Sequence, residues 1–431
     1  MKVTKLGIRK WLSFIVAGLI GQLAWAIENN YLNVYVYDAT GVYNYIPIMT
    51  AASAVVATLT TLLMGALSDR LGKRKIFVSA GYIIWGISII LFAFLDPHSS
   101  VTFLANAAFL SGTFIVIMDC VMTFFGSTAN DAAFNAFVTD NTDESNRGKV
   151  ESVLSILPLV AMIAIVLLQG MLVDPVKKDW SIFFFIFGGI TTLAGIGCLF
   201  LLPKDVKAPN KEEPYIKNIV YGFKPSVIKA QPKLYLALTA FMVFSIAIQI
   251  FMPYFMVYVN KVLAFDMVST AGPILGVACV LTVVFGFFMD KIGKYKVVFG
   301  ALGAVVVGGV LLFLLNQQIG VIIGGIILMT GYLLATAVLG AKVRDFTPEK
   351  EVGLFQGIRM IFVVMIPMVT GPYIGQGASM INNEMTEGDF GQWSYAPTPY
   401  IFLFAAIAVL FVLIPLIILY KKEKQDEQVS A

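Results

Sequence analysis

A few ionisable side chains interrupt the long apolar stretches of this sequence, and they are the residues that could do chemistry. Glu28 and Asp119 each lie inside such a stretch. An ionised group in hydrocarbon is costly unless it faces a cavity or a partner. Two neighbouring carboxylates, or one in an apolar cavity, can exchange a proton near neutral pH. Glu28 is therefore the first candidate for reversible cation binding, and a carboxyl that only ties helices together is the alternative.

A second group, in the same stretch as Asp119, combines a carboxylate, an aromatic ring and an amide. Asp131, Phe134 and Asn135 fall at i, i+3 and i+4, so an α-helix would place them on one face. Hydroxyl-rich solutes need hydrogen-bond donors and acceptors, and their ring faces stack on aromatic planes. The group is typical of a site for a small hydrophilic solute, and polar contact between helices is the alternative. Three side chains near Glu28 could extend the site: Trp25, Asn29 and Asn33.

One arginine also enters an apolar stretch. Arg359 follows Gln356 by about one helical turn, and its guanidinium could pair with a carboxylate on another helix or extend to the membrane interface. The single histidine, His98, lies between apolar stretches, which argues against a proton relay built on histidine. The three cysteines lack the Cys/His spacing of a metal site, so no metal is predicted.

Membrane-spanning helices must position these side chains. Hydrophobic residues make up 58% of the 431 residues, charged residues 13%, and the mean hydropathy is +0.85, which excludes a water-soluble domain. The apolar stretches run to about 20 residues, the length that a helix needs to cross hydrocarbon. We predict an all-α polytopic membrane protein with twelve transmembrane helices. Their approximate ranges are 11–37, 45–67, 76–95, 103–138, 150–173, 180–202, 234–259, 270–289, 297–315, 320–341, 353–375 and 400–420.

The basic residues predict how the chain crosses the membrane, because they accumulate in cytoplasmic loops. Of the 30 lysines and arginines, only Lys177, Lys178 and Lys261 fall in odd-numbered connections, and all of the others except Arg359 fall at the termini or in even-numbered connections. Both termini are therefore predicted to be cytoplasmic, in an inner or plasma membrane. The basic residues behind the net charge of +4 serve mainly to orient the chain in the membrane, so no nucleic-acid partner is predicted.

A short basic stretch, G-A-L-S-D-R-L-G-K-R-K at Gly65–Lys75, joins the second and third helices. A weaker copy, G-F-F-M-D-K-I-G-K-Y-K, follows 221 residues later at Gly286–Lys296. The same offset places Gln249, which cannot titrate, at the position of Glu28, where it would hydrogen-bond a sugar or a helix. We predict that the stretch is a gate whose residues are Gly65, Asp69, Arg70, Gly72, Lys73 and Arg74 and, in the copy, Gly286, Asp290 and Gly293.

The copy predicts two six-helix repeats in the same orientation. The domains would be 1–203 and 234–431, the second ending in a short cytoplasmic tail. A lysine-rich linker at 204–233 would separate them. Apolar residues at helical spacing within the linker fit either an interfacial helix or a solvated loop.

These features together resemble the major facilitator superfamily of secondary transporters, whose fold is two six-helix pseudo-repeats. The basic loop, its copy and the twelve helices divided by a linker carry the resemblance. Three segments further resemble its sugar:cation symporters, the glycoside-pentoside-hexuronide and sucrose:proton carriers. They are G-Q-L-A-W-A-I-E-N-N-Y at Gly21–Tyr31, A-F-V-T-D at Ala136–Asp140 and I-P-M-V-T-G-P-Y-I-G at Ile366–Gly375. Asn135 stands where sucrose carriers usually have an arginine, which leaves the sugar open.

The resemblance implies a transporter and not an enzyme. It would move a sugar, a glycoside or oligosaccharide, together with a cation, H+ or Na+, by alternating access among membrane lipids. The sequence has no GxxxxGK[ST] loop, so neither ATP nor a cofactor is predicted. A proton-coupled exporter of amphipathic compounds is the alternative, but Leu157-Pro158-Leu159 replaces the motif of drug antiporters. A receptor that transports nothing is a third alternative, which two copies of the loop disfavour.

Overall fold

Helices account for nearly all of the regular structure in this protein. The computed structural model describes residues 6–99, 101–104, 107–142, 146–154, 156–173, 177–205, 223–348 and 352–430. The predicted interfacial helix in the linker lies outside these residues. The chain divides into two compact units. Unit 1 is Met1–Glu213 with the short segment Glu387–Trp393, and unit 2 is Pro214–Thr386 with Ser394–Ala431.

Unit 1 contains the helices from the N-terminal half of the chain. They are α1 Ile8–Ala26, α2 Leu32–Thr40, α3 Tyr45–Leu71, α4 Arg74–Leu95, α5 Ser111–Gly126, α6 Asn135–Asp140, α7 Arg147–Leu154, α8 Leu157–Leu172 and α9 Ser181–Leu201. Two π-helical segments make continuous rods: π1 Ile27–Tyr31 joins α1 to α2, and π2 Ser127–Phe134 joins α5 to α6.

Unit 2 contains the remaining helices and the outer parts of one small hairpin. The helices are α10 Pro225–Ala230, α11 Pro232–Val257, α12 Met267–Ile292, α13 Lys294–Leu314, α14 Gln318–Phe346, α15 Val352–Met360, α16 Ile366–Ser379 and α17 Tyr400–Ser430. The π-helical segment π3 Tyr258–Val262 continues α11, and π4 Ile361–Met365 joins α15 to α16. Between α16 and α17, β1 Met385–Glu387 pairs with β2 Trp393–Tyr395.

The all-α polytopic fold is confirmed, with one difference in the predicted spans. Among the described residues, eleven helical rods are long and apolar enough to cross a membrane. The predicted span 150–173 consists instead of α7 and the 16-residue α8, whose apolar part is Val160–Leu172. Pro158 lies in the first turn of α8. Because proline lacks an N–H, it begins helices more readily than it continues them.

The same helix pairings recur in both units. In unit 1, α1 packs on α8 and α9, α3 on α5, and α4 on α5 and α9. In unit 2, α11 packs on α16 and α17, α12 on α14, and α13 on α14 and α17. These pairings correspond one to one when the membrane rods are counted in order, so each unit is one six-helix pseudo-repeat. The repetition confirms the architecture that the two basic stretches predict.

Aromatic side chains fill the core of unit 1, and small residues allow its helices to approach. Tyr35 packs edge-on against Phe92 and Trp180, with ring centroids 5.9 Å apart in both contacts. Where α4 meets α9, a Cβ on Gly86 would lie 2.6 Å from the Gly188 carbonyl oxygen, so only glycine fits there. Apolar side chains also face outwards on most rods, as lipid contact requires.

Candidate functional site

Glu28 and Asp119 lie together in the interior of unit 1. Glu28 is 7% exposed and Asp119 is 1% exposed, and the two carboxylates are close enough to interact electrostatically. The Thr123 hydroxyl donates a 2.7 Å hydrogen bond to Glu28 Oε1. Ser53 on α3 forms a side-chain hydrogen bond with Asp119. Since Glu28 belongs to π1 while Asp119 and Thr123 lie one turn apart on α5, the cluster joins three of the membrane rods.

The carboxylate pair has no basic partner in the part of the chain that the structure describes. No lysine, arginine or histidine there forms an ion pair with either residue. Glu28 Oε2 and Asp119 Oδ1 are both buried and lack a hydrogen-bond partner among the described residues. Two ionised carboxylates without a counter-charge in an apolar interior repel each other and lose hydration. The arrangement is therefore suited to hold a proton or another small cation.

Asp131 forms a second polar centre, on π2. It is half-buried, accepts a hydrogen bond from Asn130 Nδ2 at 3.3 Å and is also bonded by the side chain of Trp25. The Trp25 ring packs edge-on against Trp85 with centroids 5.1 Å apart. Asn130 Oδ1 lies 3.1 Å from the buried Tyr82 hydroxyl. These contacts give the Asp131 carboxylate and the half-exposed Trp25 ring defined orientations.

The π-helical backbone changes which predicted side chains share a face. Asn135 is exposed, but Phe134 is only 4% exposed and packs near Gly18 in the core. The i, i+3, i+4 rule that groups these two with Asp131 holds for an α-helix, and π2 ends at Phe134. On π1 the amide of Asn29 is exposed and donates to the Trp25 carbonyl at 2.9 Å. Asn33 on α2 is 3% exposed.

The predicted residues of unit 2 do not form a comparable cluster in the described part of the chain. Gln249 is half-buried and packs closely against α16, since a Cβ added to Gly371 would lie 2.5 Å from the Gln249 Cβ. Arg359 is half-buried and has Arg344 as an electrostatic neighbour. It forms no ion pair with a described carboxylate, so the predicted acidic partner is not found among these residues. The side chain of Gln356 lies outside the described residues.

The basic stretch Gly65–Lys75 folds around one buried arginine. Arg74, the first residue of α4, is 4% exposed and contacts the Asp69 carboxylate and the Ser68 hydroxyl. Its Nε also lies 3.3 Å from Asp140 Oδ2, at the end of α6. Gly72 ends α3 with φ of 61°, a left-handed conformation that favours glycine. Gly65 accepts a hydrogen bond from the Arg74 guanidinium at 3.4 Å, and Arg70 and Lys73 are exposed.

The copy at Gly286–Lys296 keeps the turn but has a different ion pair. Gly293 has φ of 95°, and Lys294 Nζ lies 2.7 Å from Asp345 Oδ2. A Cβ on Gly286 would meet no atom within 4 Å, so close packing does not explain that glycine. The side chain of Asp290 lies outside the described residues.

Sequence reasoning missed several side chains of these clusters. Thr123 was detectable, because it follows Asp119 by four residues and so lies on the same helical face. Ser53 carries no sequence signal, since a serine in a small-residue stretch is usual in membrane helices. The pairing of Arg74 with Asp140 joins positions 66 residues apart, which only the fold brings together.

Comparison with known proteins identifies the family. The model of the Major Facilitator Superfamily matches residues 11–372 and 277–431. The chain belongs to the Major Facilitator Superfamily. This membership indicates a membrane transporter rather than an enzyme. No curated protein sequence matches the chain.

Solved structures of other superfamily transporters share the fold. A mutant of the nucleoside transporter NupG superposes with a TM-score of 0.71 at 12% identity, covering 95% of this chain and 99% of that one. A bacterial homologue of the human lysosomal transporter Spinster, inward-facing and unoccupied, gives 0.65 at 14% identity, covering 95% and 96%. The occupied form of that homologue gives 0.64 at 12% identity, covering 97% and 98%. At these identities the likeness concerns the fold alone.

Proposed function

We propose that this transporter is a symporter that takes up a sugar, a glycoside or oligosaccharide, together with a cation, and that the cation is a proton. The observation that supports cation coupling best is the buried pair of Glu28 and Asp119 without a basic partner among the described residues. Such a pair is most stable when one positive charge accompanies it. A proton needs only one pair of facing oxygens, whereas Na+ needs several oxygen ligands.

The sugar site would be the polar surface that begins next to this pair. Asp131 offers carboxylate oxygens, and Asn29 and Asn135 offer exposed amides. The Trp25 ring, oriented by Asp131 and Trp85, offers an aromatic plane to a sugar ring. Asp131 would couple the two sites, because it is bonded by the Trp25 side chain and is also within electrostatic range of Glu28.

The two units would be the halves that move during alternating access, with both termini in the cytoplasm. The buried Arg74 cluster would then lie at the cytoplasmic end of unit 1 and close it when Asp69, Arg74 and Asp140 are paired. The distribution of lysine and arginine supports this orientation.

Uptake into proteoliposomes tests the proposal. Purified protein would be offered radiolabelled disaccharides, simple glycosides and, because of the fold shared with NupG, nucleosides. Each solute would be tested with an imposed pH gradient, an imposed sodium gradient and neither. One coupled charge at 100 mV supports about 50-fold accumulation, since that potential is worth ~2.3 kcal/mol per charge. We expect accumulation of at least one glycoside under the inward proton gradient.

Glu28→Gln separates coupling from binding. We expect this variant to lose gradient-driven accumulation while it still equilibrates the solute, because the amide cannot carry a proton. Glu384→Gln, in an exposed segment after α16, is the matched control and should behave as the wild type. Full coupling in Glu28→Gln would refute the site, and no gradient-driven uptake of any glycoside would refute the proposed function. Efflux of an amphipathic dye in the same vesicles would favour the exporter.

A further inference from the structure

A short segment from the C-terminal half of the chain belongs structurally to unit 1. Glu387–Trp393 connects β1 to β2, between helices of unit 2, yet it clusters with unit 1. It lies against three connections at the end of unit 1 opposite Gly65–Lys75: the turn after α2, the turn after α4 and the approach to α9. We call Glu387–Trp393 the hairpin tip.

The hairpin tip fits against unit 1 backbone to backbone. The Asp389 amide donates to the Thr40 carbonyl at 3.3 Å. A Cβ on Gly41 would lie 2.7 Å from the Asp389 nitrogen, and a Cβ on Gly388 would lie 3.0 Å from the carbonyl oxygens of Thr40 and Gly41. Gly41 also has φ of 68°, a conformation that favours glycine. The contact therefore depends on two facing glycines, one on each side.

Charged side chains surround the same contact. Lys178 Nζ lies 3.1 Å from Asp389 Oδ2, and His98 Nε2 lies 4.0 Å from that oxygen. The other ring nitrogen of His98, Nδ1, lies 3.4 Å from Asp96 Oδ1. Asp96 is fully buried, and the backbone amides of His98 and Trp180 hold its two oxygens. The imidazole thus lies between a fixed carboxylate of unit 1 and the carboxylate of the hairpin tip.

We propose that the hairpin tip is a releasable latch on unit 1. Two facing glycines allow its backbone to fit against Thr40 and Gly41. The ion pair between Lys178 and Asp389 adds an attraction that salt screens, because both side chains are partly exposed.

Hydrogen–deuterium exchange of the full-length protein in nanodiscs tests the latch without a substrate. Exchange at Glu387–Trp393 would be measured in low and in high salt. We expect roughly 2- to 5-fold faster exchange in high salt, the size expected for one partly exposed ion pair. Asp389→Asn should speed exchange in low salt and remove the dependence on salt. A salt dependence that Asp389→Asn leaves intact would overturn the role of the ion pair.

Glycine variants test the docking itself, independently of charge. Gly388→Ala should speed exchange of the tip at both salt concentrations, because the added methyl group collides with the Thr40–Gly41 backbone. Gly377→Ala is the matched control, since a Cβ there meets no atom within 4 Å. Equal exchange in the two variants would overturn the latch.

A reversible cross-link tests whether release is required for transport, and this arm alone rests on the proposed function. His98→Cys combined with Asp389→Cys should be bridged by a short thiol reagent, stop uptake, and recover on reduction. The two variants that carry only one of these substitutions are controls, and they also report any reaction of the three native cysteines. A bridged protein that transports at the wild-type rate would overturn the requirement for release, whereas failure to find any transported solute would leave the exchange results standing.

Discussion

The two basic loops occupy equivalent places in the two repeats but neutralise their charges differently. In unit 1, Arg74 is nearly buried and contacts Asp69, Ser68 and Asp140. In unit 2, Tyr295 replaces that arginine, and the buried cation is Lys342 on α14. Lys342 Nζ lies 4.1 Å from the centre of the Tyr295 ring and 2.8 Å from Glu423 Oε2. In unit 2 the buried positive charge is therefore on a helix and not in the basic loop, and the aromatic ring of that loop contacts it.

This difference shows that the repeat conserves geometry while its ion pairs vary. Asp140 and Asp345 stand at corresponding helix ends, yet Asp140 pairs with Arg74 and Asp345 pairs with Lys294. Lys294 corresponds to the exposed Lys73, one position before Arg74. The carboxylate that pairs with Lys342 is Glu423, in the C-terminal part of α17. Different helices or loops can supply the cation and the acid, because an ion pair requires only that the two charges lie close together.

Loss of Arg74 should produce the largest effect. Arg74→Gln leaves Asp140, whose side chain is only 16% exposed, without its cation. We expect the free energy of unfolding in detergent micelles to fall by about 2–4 kcal/mol, as when a buried pair loses one partner. Arg70→Gln, which removes an exposed charge from the same loop, should change it by less than about 0.5 kcal/mol. Equal stability of the two variants would mean that the cluster does not hold the loop.

Loss of Glu423 should produce an intermediate effect. Glu423→Gln leaves the buried Lys342 ammonium with the Tyr295 ring and no carboxylate, so we expect a loss of about 1–3 kcal/mol. Lys424→Gln, at an exposed neighbouring position, is the control. If Lys342→Met is added to Glu423→Gln, part of the stability should return, because no unpaired buried charge remains. A double variant less stable than Glu423→Gln would contradict the ion-pair explanation.

Loss of Lys294 should matter much less than loss of Arg74. Its pair with Asp345 has both side chains about a third or more exposed. Lys294→Gln should therefore lower the unfolding free energy by less than about 1 kcal/mol, and added salt should abolish the difference. Unfolding in low and high salt measures both values. A salt-insensitive loss as large as that of Arg74→Gln would mean that the two loops are electrostatically equivalent.

The tyrosine of the second loop should show the smallest effect. Tyr295→Phe keeps the ring under the Lys342 ammonium and should change stability by less than about 0.5 kcal/mol, whereas Tyr295→Leu should cost about 0.5–1 kcal/mol through the lost cation–π contact. Thermal unfolding of the two variants side by side gives the comparison. If Tyr295→Phe costs as much as Tyr295→Leu, the hydroxyl and not the ring supports Lys342.

Local sequence patterns predicted the fold better than the candidate site. Helical rise alone suggested that Glu28 and Asp119 could lie at a similar depth, and the two carboxylates do lie within electrostatic range. The same reasoning grouped Phe134 with Asn135, which the structure separates because π2 changes the rotation per residue. A π-helical segment arises from packing between rods, so a spacing rule for an α-helix cannot detect it.

The sequence by itself determined the membrane class, the helical rods and the six-helix repeat. Bilayer thickness sets the length of an apolar helix, and a buried backbone must satisfy its own hydrogen bonds, so composition requires the first two of these features. The basic stretch Gly65–Lys75 and its copy at Gly286–Lys296 indicate the repeat. Only the tertiary structure decided the partners of each charge. It paired Arg74 with Asp140, placed Thr123 on Glu28 and brought the hairpin tip onto unit 1. Such contacts join distant residues through side-chain packing, and no local pattern in the chain records which helices will meet.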